Sequence, residues 1–158
     1  MQKITPSLWF NNNAEEAISF YTTIFKNSTV TGQAYYGENS PMPAGTLLTA
    51  TFQLDGQEFI AINAGPQFPF TEAVSFTVYC ENQQEVDHYW DKLLEGGGKE
   101  SQCGWLKDKF GLSWQIVPTI MPKLLTDKDK QKAGRAMQAM MKMVKLDIAT
   151  LEKAFNGN

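Results

Sequence analysis

The chain has 158 residues, 42% of them hydrophobic and 12% aromatic, with a formal charge of −3 at pH 7. That composition suits a globular chain able to bury a core and excludes a disordered one. It holds neither a basic stripe that could track phosphates nor a run near the roughly 18 apolar residues of a membrane span, so no nucleic acid and no membrane is expected as a partner.

The opening residues, MQKITPSLWFNNN, lack a basic region followed by a long apolar stretch, and Cys80 and Cys103 are too few for a disulfide framework and lack zinc-type spacing. The expected location is therefore the cytoplasm, with both thiols reduced. A first strand is expected at Leu8-Trp9-Phe10. Asn13 then opens a helix, its side chain accepting from a free amide of the first turn while Glu16 reaches back. Ala17, Phe20, Tyr21, Ile24 and Phe25 recur at helical spacing and share one face. Strands are expected at 29–36, 47–54 and 57–63. Leu48, Ala50, Phe52 and Leu54 alternate with polar residues, the period of a half-buried antiparallel strand. Asp55-Gly56 reads as a two-residue hairpin turn, because such turns require positive φ. Between the first two of these strands, the loop 37–45 (GENSPMPAG) is broken up by Pro41, Pro43 and glycine, and a loop this long suggests a functional edge.

The same order then recurs. Thr77-Val78-Tyr79 reads as a strand, Asn82 with Glu85 as a helix start, and Val86, Tyr89, Trp90, Leu93 and Leu94 as the apolar face. Gly96-Gly97-Gly98 closes that helix, and strands follow at 99–102, 104–108 and 112–117, with Phe110-Gly111 turning the last hairpin. From Asn13 to Asn82 the offset is 69 residues. It holds for the cap, the box glutamate and each apolar site, and it lays Leu8-Trp9-Phe10 over Thr77-Val78-Tyr79. A helical tail is expected from near Thr126, with Asp127 and Asp129 at its positive end. Ala133, Met137, Met140, Met141 and Val144 form its packing stripe, and a second helix begins near Asp147 with Ile148, Leu151 and Phe155 inward. The expected architecture is a single α+β domain, 1–158, of two βαβββ halves (about 1–66 and 70–118) followed by a helical tail (about 122–156).

Paired units of this kind mark the vicinal-oxygen-chelate superfamily of glyoxalases and bleomycin-resistance proteins. Within it the chain resembles the PhnB-like family, some members of which carry the name 3-demethylubiquinone-9 3-methyltransferase. The resemblance rests on Asn13-Ala14-Glu15-Glu16-Ala17, on 83–90, on the run CGWLKDKFGLSWQIVP from Cys103 to Pro118, and on 137–151. It implies that each half curls a mixed or antiparallel sheet around a cavity and that two chains pair as a homodimer. Open sheet edges and the Met-rich tail fit such pairing.

The resemblance also implies where a metal would sit: on His, Gln or Glu at the inner ends of the first and last strands of each half. Here the first-strand positions are Thr5 or Pro6 and Ala73 or Val74, none of them a usual ligand. Gln115 matches the position of a metal-binding glutamate, and the first half adds only Glu58 and Asn63, so no metal or other cofactor is expected; if one binds, Gln115 and Glu58 would hold it. The sole histidine, His88, lies between the apolar sites of the second helix and reads as solvent-facing. For methyl transfer, Gly96-Gly97-Gly98 stands after a helix rather than between strand and helix, and so is not a cofactor turn.

What remains is an aromatic cavity. Trp9, Trp105, Phe110 and Trp114 would wall it, Gln115 and Asn63 would supply amides, Asp108 a charge and Cys103 a thiol, though each also has an ordinary packing or turn role open to it. Metal-independent binding of a small molecule is the leading expectation. A metal-dependent isomerase, lyase or dioxygenase, and a purely structural dimer, stand as alternatives.

Overall fold

The structure, a computed structural model, describes residues 2–158, and the chain divides between Phe70 and Thr71 into two compact units. In the first, β1 (Ser7–Phe10) leads into α1 (Ala14–Ile24), followed by β2 (Thr29–Tyr35), β3 (Leu47–Leu54) and β4 (Gln57–Asn63). The sheet order is β1-β4-β3-β2, with β1 parallel to β4 and the other pairs antiparallel. A parallel pair needs a crossover connection, and α1 begins it. Ala50, Phe52 and Leu54 on β3 are buried, as are Ala17, Ile18, Tyr21 and Ile24 on α1, and Phe52 stacks on Phe59 at 5.6 Å between ring centres. Each such large side chain contributes about 1.5–3 kcal/mol. At the β3–β4 turn, Asp55 and Gly56 have φ of 48° and 80°, the left-handed pair a tight hairpin demands.

The second unit repeats the plan with β5 (Ser75–Cys80), α2 (Gln83–Leu94), β6 (Lys99–Glu100), β7 (Trp105–Lys107) and β8 (Ser113–Pro118), in the order β5-β8-β7-β6 with β5 parallel to β8. Val86, Trp90 and Leu93 form the buried stripe of α2. Asn82 accepts from the Glu85 amide at 3.0 Å, and Glu85 reaches back to the Glu81 amide at 2.8 Å. Three helices close the chain: α3 (Ile120–Leu125), α4 (Lys130–Met140) and α5 (Ile148–Asn156). Asp129 and Asp147 cap the last two, and Leu124, Ala136, Leu146 and Leu151 form their shared core. Gln83 joins α2 to the tail, donating to the Leu146 carbonyl at 3.2 Å and accepting from the Ile148 amide at 2.9 Å.

Four expectations are corrected. At the start of α1 the Asn13 side chain makes no cap bond; the Ala14 amide instead donates to Asn63 Oδ1, which arrives from β4 at 2.9 Å. The offset of 69 holds for the helices but slips on the first strands. Leu8 and Phe10 face inward in β1, whereas in β5 the inward set is Phe76, Val78 and Cys80, with Tyr79 61% exposed. Because side chains alternate along a strand, a one-residue slip exchanges its faces. The extra residue lies in the connection Asn11-Asn12-Asn13, where Asn12 takes φ 58°, against Glu81-Asn82 in the second unit. In the tail, α3 precedes the expected start at Thr126, because Pro122 sits in its first turn, where no intrahelical amide bond is lost. The methionine stripe is core only in part: Ala133 is buried and Met140 packs against the tail core. Met137 and Met141 are 45% and 63% exposed, α4 ends at Met140, and its buried residues are Ala133 and Ala136.

Candidate functional site

Strand pairing determines which side chains share a face of the second sheet. Trp90 Nε1 of α2 donates to Glu100 Oε1 at 3.1 Å, and Glu100 pairs with Leu106, so Leu106 and its neighbours Trp114 and Phe76 face α2. Alternation places the other set on the opposite face. Its central row is Thr77, Gln115 and Trp105, and the next is Ser75, Ser113, Lys107 and Lys99. Gln115 Nε2 donates to Ser75 Oγ at 2.9 Å and is half-buried, as is Trp105. Beside these rows lies a cavity of about 230 Å³, lined by Glu72, Lys99, Ser101, Trp105, Lys107 and Ser113 among others. Lys107 Nζ is ion-paired with Glu72, and this bond holds the Glu72 carboxyl below its usual range. Ser113 is 1% exposed, and its hydroxyl oxygen is buried with no hydrogen-bond partner.

Of the residues expected to form the site, Gln115 and Trp105 are cross-strand neighbours on this face. Trp114 is turned the other way, into the α2 side, with Nε1 donating to Asp108 Oδ2 at 2.9 Å. Asp108 is 3% exposed and its second oxygen accepts from the amides of Phe110 (2.8 Å) and Leu112 (3.1 Å), so the carboxylate organises the β7–β8 turn. Phe110 is half-buried on that turn, with Lys109 Nζ 5.2 Å from its ring centre. Cys103 has φ 59°, and its amide donates to the Met143 carbonyl at 2.8 Å, fastening the loop to the tail. In the first unit, Asn63 is 1% exposed and faces α1, bonded to the Ala14 amide and, through Nδ2, to the Leu47 carbonyl at 3.1 Å. Trp9 lies on the face away from α1, its Nε1 on the Gly65 carbonyl at 2.9 Å and its ring edge-on to Phe68 at 4.9 Å. Glu58 shares that face and accepts from Thr5 Oγ1 at 3.1 Å. Ser113, Lys107 and Lys99 meet through strand pairing, and Glu72 joins them through its ion pair with Lys107. The only sequence signal for any of them was the alternation of Ser113 with Gln115.

Glu58 belongs to the first unit and Gln115 to the second, and Thr5, Pro6, Ala73 and Val74 add no usual ligand for a divalent metal. Among the described residues no three His, Cys, Asp or Glu side chains gather as a metal would need. Within either unit the donors do not fit a resident divalent metal. S-adenosylmethionine does not fit a classical glycine-rich turn either, since the connections from β1 to α1 and from β5 to α2 contain no glycine. Cys80 is no nucleophile: burial, and then Glu85 and Glu81, push its thiol up to about 12.

A family model described as 3-demethylubiquinone-9 3-methyltransferase matches residues 2–117, leaving α3–α5 beyond it. Among solved structures, a Bacillus cereus PhnB protein bearing the same description is 40% identical. It covers 75% of this chain and 100% of its own, with a TM-score of 0.68. Protein PA1353 from Pseudomonas aeruginosa is 23% identical over 75% of this chain and 98% of its own, at a TM-score of 0.60. The fosfomycin resistance protein FosX from Listeria monocytogenes shares the fold at 12% identity and a TM-score of 0.58, over 80% of this chain and 98% of its own. No curated protein matches. With more than two-thirds of its length matched and a relative of 40% identity, the chain belongs to the PhnB-like (3-demethylubiquinone-9 3-methyltransferase) family of the vicinal-oxygen-chelate superfamily.

Proposed function

We propose that this protein binds a small molecule without a metal, on the face of the second sheet turned away from α2, and works as a cytoplasmic homodimer. The observation that supports this most is the row Thr77–Gln115–Trp105, which sets a half-buried amide between an exposed hydroxyl and a half-buried indole. Apolar walls with a few fixed polar groups are what small-molecule sites use. The Gln115 amide is oriented by Ser75, and its oxygen can accept from a ligand; Trp105 offers a flat apolar surface beside it. Trp9 is the corresponding aromatic candidate in the first unit. Asn63, Asp108 and Trp114 act in this reading through the architecture, Cys103 through the tail and Phe110 through the turn. The methyltransferase description of the family carries no weight here, because neither strand-to-helix connection suits the cofactor.

The deciding experiment equilibrates the purified protein with zinc, nickel, manganese and iron(II), then combines elemental analysis with native mass spectrometry. The expected result is a two-chain species with no metal retained. About one metal per chain would overturn metal independence and turn attention to lyase, isomerase or dioxygenase chemistry at Gln115.

A further inference from the structure

One polar atom beside the proposed site has its hydrogen-bonding capacity unmet. A buried hydroxyl without a partner is unfavourable, and native proteins seldom keep one unless something outside the chain completes it. Ser113 Oγ is such an atom, and its residue lines the 230 Å³ cavity. Across the strands from it stand Lys107 and then Lys99, on the same face. Lys99 makes no ion pair among the described residues, and Lys107 is already engaged by a carboxylate of the chain itself, that of Glu72. Glu72 sits just before β5 in an exposed stretch, with 63% of its side chain exposed against 37% for Lys107. An ion pair so open to water is weakly held. It can be exchanged for another anion.

We propose that this cavity receives the oxyanion of the ligand, a carboxylate or a phosphate, and that Glu72 occupies its place until the ligand arrives. The incoming oxyanion displaces the Glu72 carboxylate from the Lys107 ammonium, accepts a hydrogen bond from Ser113 Oγ and is drawn in by Lys99. Trp105, which also lines the cavity, supports an apolar or aromatic body attached to the anion. Glu100 also lines the cavity, but its Oε1 is held by Trp90 Nε1 on the α2 side of the sheet. The assignment rests on the reading that this face binds a small molecule, and it adds the chemical class.

The test titrates the full chain with inorganic phosphate, benzoate and the neutral isostere benzamide, following the amide resonances of Ser113 and Lys107 by NMR. Benzoate and phosphate are expected to bind and benzamide to bind more weakly, with benzoate ahead of phosphate if Trp105 carries an aromatic body and behind it if the site prefers a free phosphate. Ser113→Ala should weaken benzoate about tenfold or more, the scale of a hydrogen bond to a charged group, without lowering the melting temperature. Lys107→Gln should weaken it as well, while Glu72→Gln should tighten it about two- to fivefold by removing a competitor of ordinary surface-pair strength. If Ser113→Ala and Glu72→Gln both leave the affinities unchanged, Ser113 is satisfied by water alone and the oxyanion site is wrong. If benzamide binds as well as benzoate and is lost in Gln115→Ala, the oxyanion site falls while small-molecule binding stands. If none of the three probes binds, the oxyanion site is overturned, and the metal and subunit measurements judge the broader reading separately.

Discussion

Replacing Asn63 with alanine removes two bonds at once from the interior of the first unit. Asn63 Oδ1 accepts from the Ala14 amide at 2.9 Å, the first amide of α1, and Nδ2 donates to the Leu47 carbonyl at 3.1 Å, in a residue only 1% exposed. Loss of a helix cap costs about 1 kcal/mol. The Leu47 carbonyl, left without that donor in a buried setting, adds about 1–3 kcal/mol. The sum of about 2–4 kcal/mol corresponds to a fall in melting temperature of about 5–15 °C for a chain of this size. Urea and thermal unfolding of Asn63→Ala against Gln115→Ala measure it, the latter losing only the half-buried bond to Ser75 and expected to stay within about 1 kcal/mol of wild type. If Asn63→Ala keeps wild-type stability, the capping argument is refuted.

Three further outcomes are expected. Gln83→Ala breaks the bonds to Leu146 and Ile148, and should speed hydrogen exchange of the α5 amides by about tenfold, as loss of one to two net hydrogen bonds implies; unchanged α5 protection would show that the tail is held otherwise. Gly104→Ala places a methyl at φ 82°, 2.9 Å from the Ile116 carbonyl and 3.0 Å from Leu146 Cδ1. The expected loss is about 2 kcal/mol or more by denaturant unfolding. Alkylation with iodoacetamide at pH 8, read by mass spectrometry, should label the half-buried Cys103 well before Cys80, whose thiol is raised from 9.0 to about 12. The sign follows from linkage: the neutral Cys80 thiol is kept below pH 9, and the stability it represents is lost as pH rises from there through about 12.

Local chemistry made much of the fold legible. Strands β3 and β4 fall where the alternation and the Asp55-Gly56 turn put them, because both signals operate over a few neighbouring residues. The cap of α1 was not legible, since its acceptor lies 49 residues along the chain from Ala14. The α3 helix was hidden by Pro122, which breaks a helix interior but not a first turn. At the candidate site the residue types were visible and their directions were not. Trp114 and Gln115 are adjacent in sequence and face opposite sides of β8, and Asn63 is turned into the α1 side by the same rule. Lys99, Lys107 and Ser113 meet only through strand register, which no single segment encodes, and Glu72 reaches them through its ion pair with Lys107.

The connection between β1 and α1 shows where this architecture tolerates a change of length. Asn12 takes the left-handed conformation, the one place in that link where a surplus residue can be folded away without turning the strand over. Insertions and deletions there would leave every inward and outward side chain of the sheet where it is, whereas the same change inside β1 would exchange buried Phe10 for Trp9 or Asn11. A gapless comparison of the two halves therefore mislabels one of the first strands. An engineer grafting residues from one half to the other has to count from the strand rather than from the helix cap.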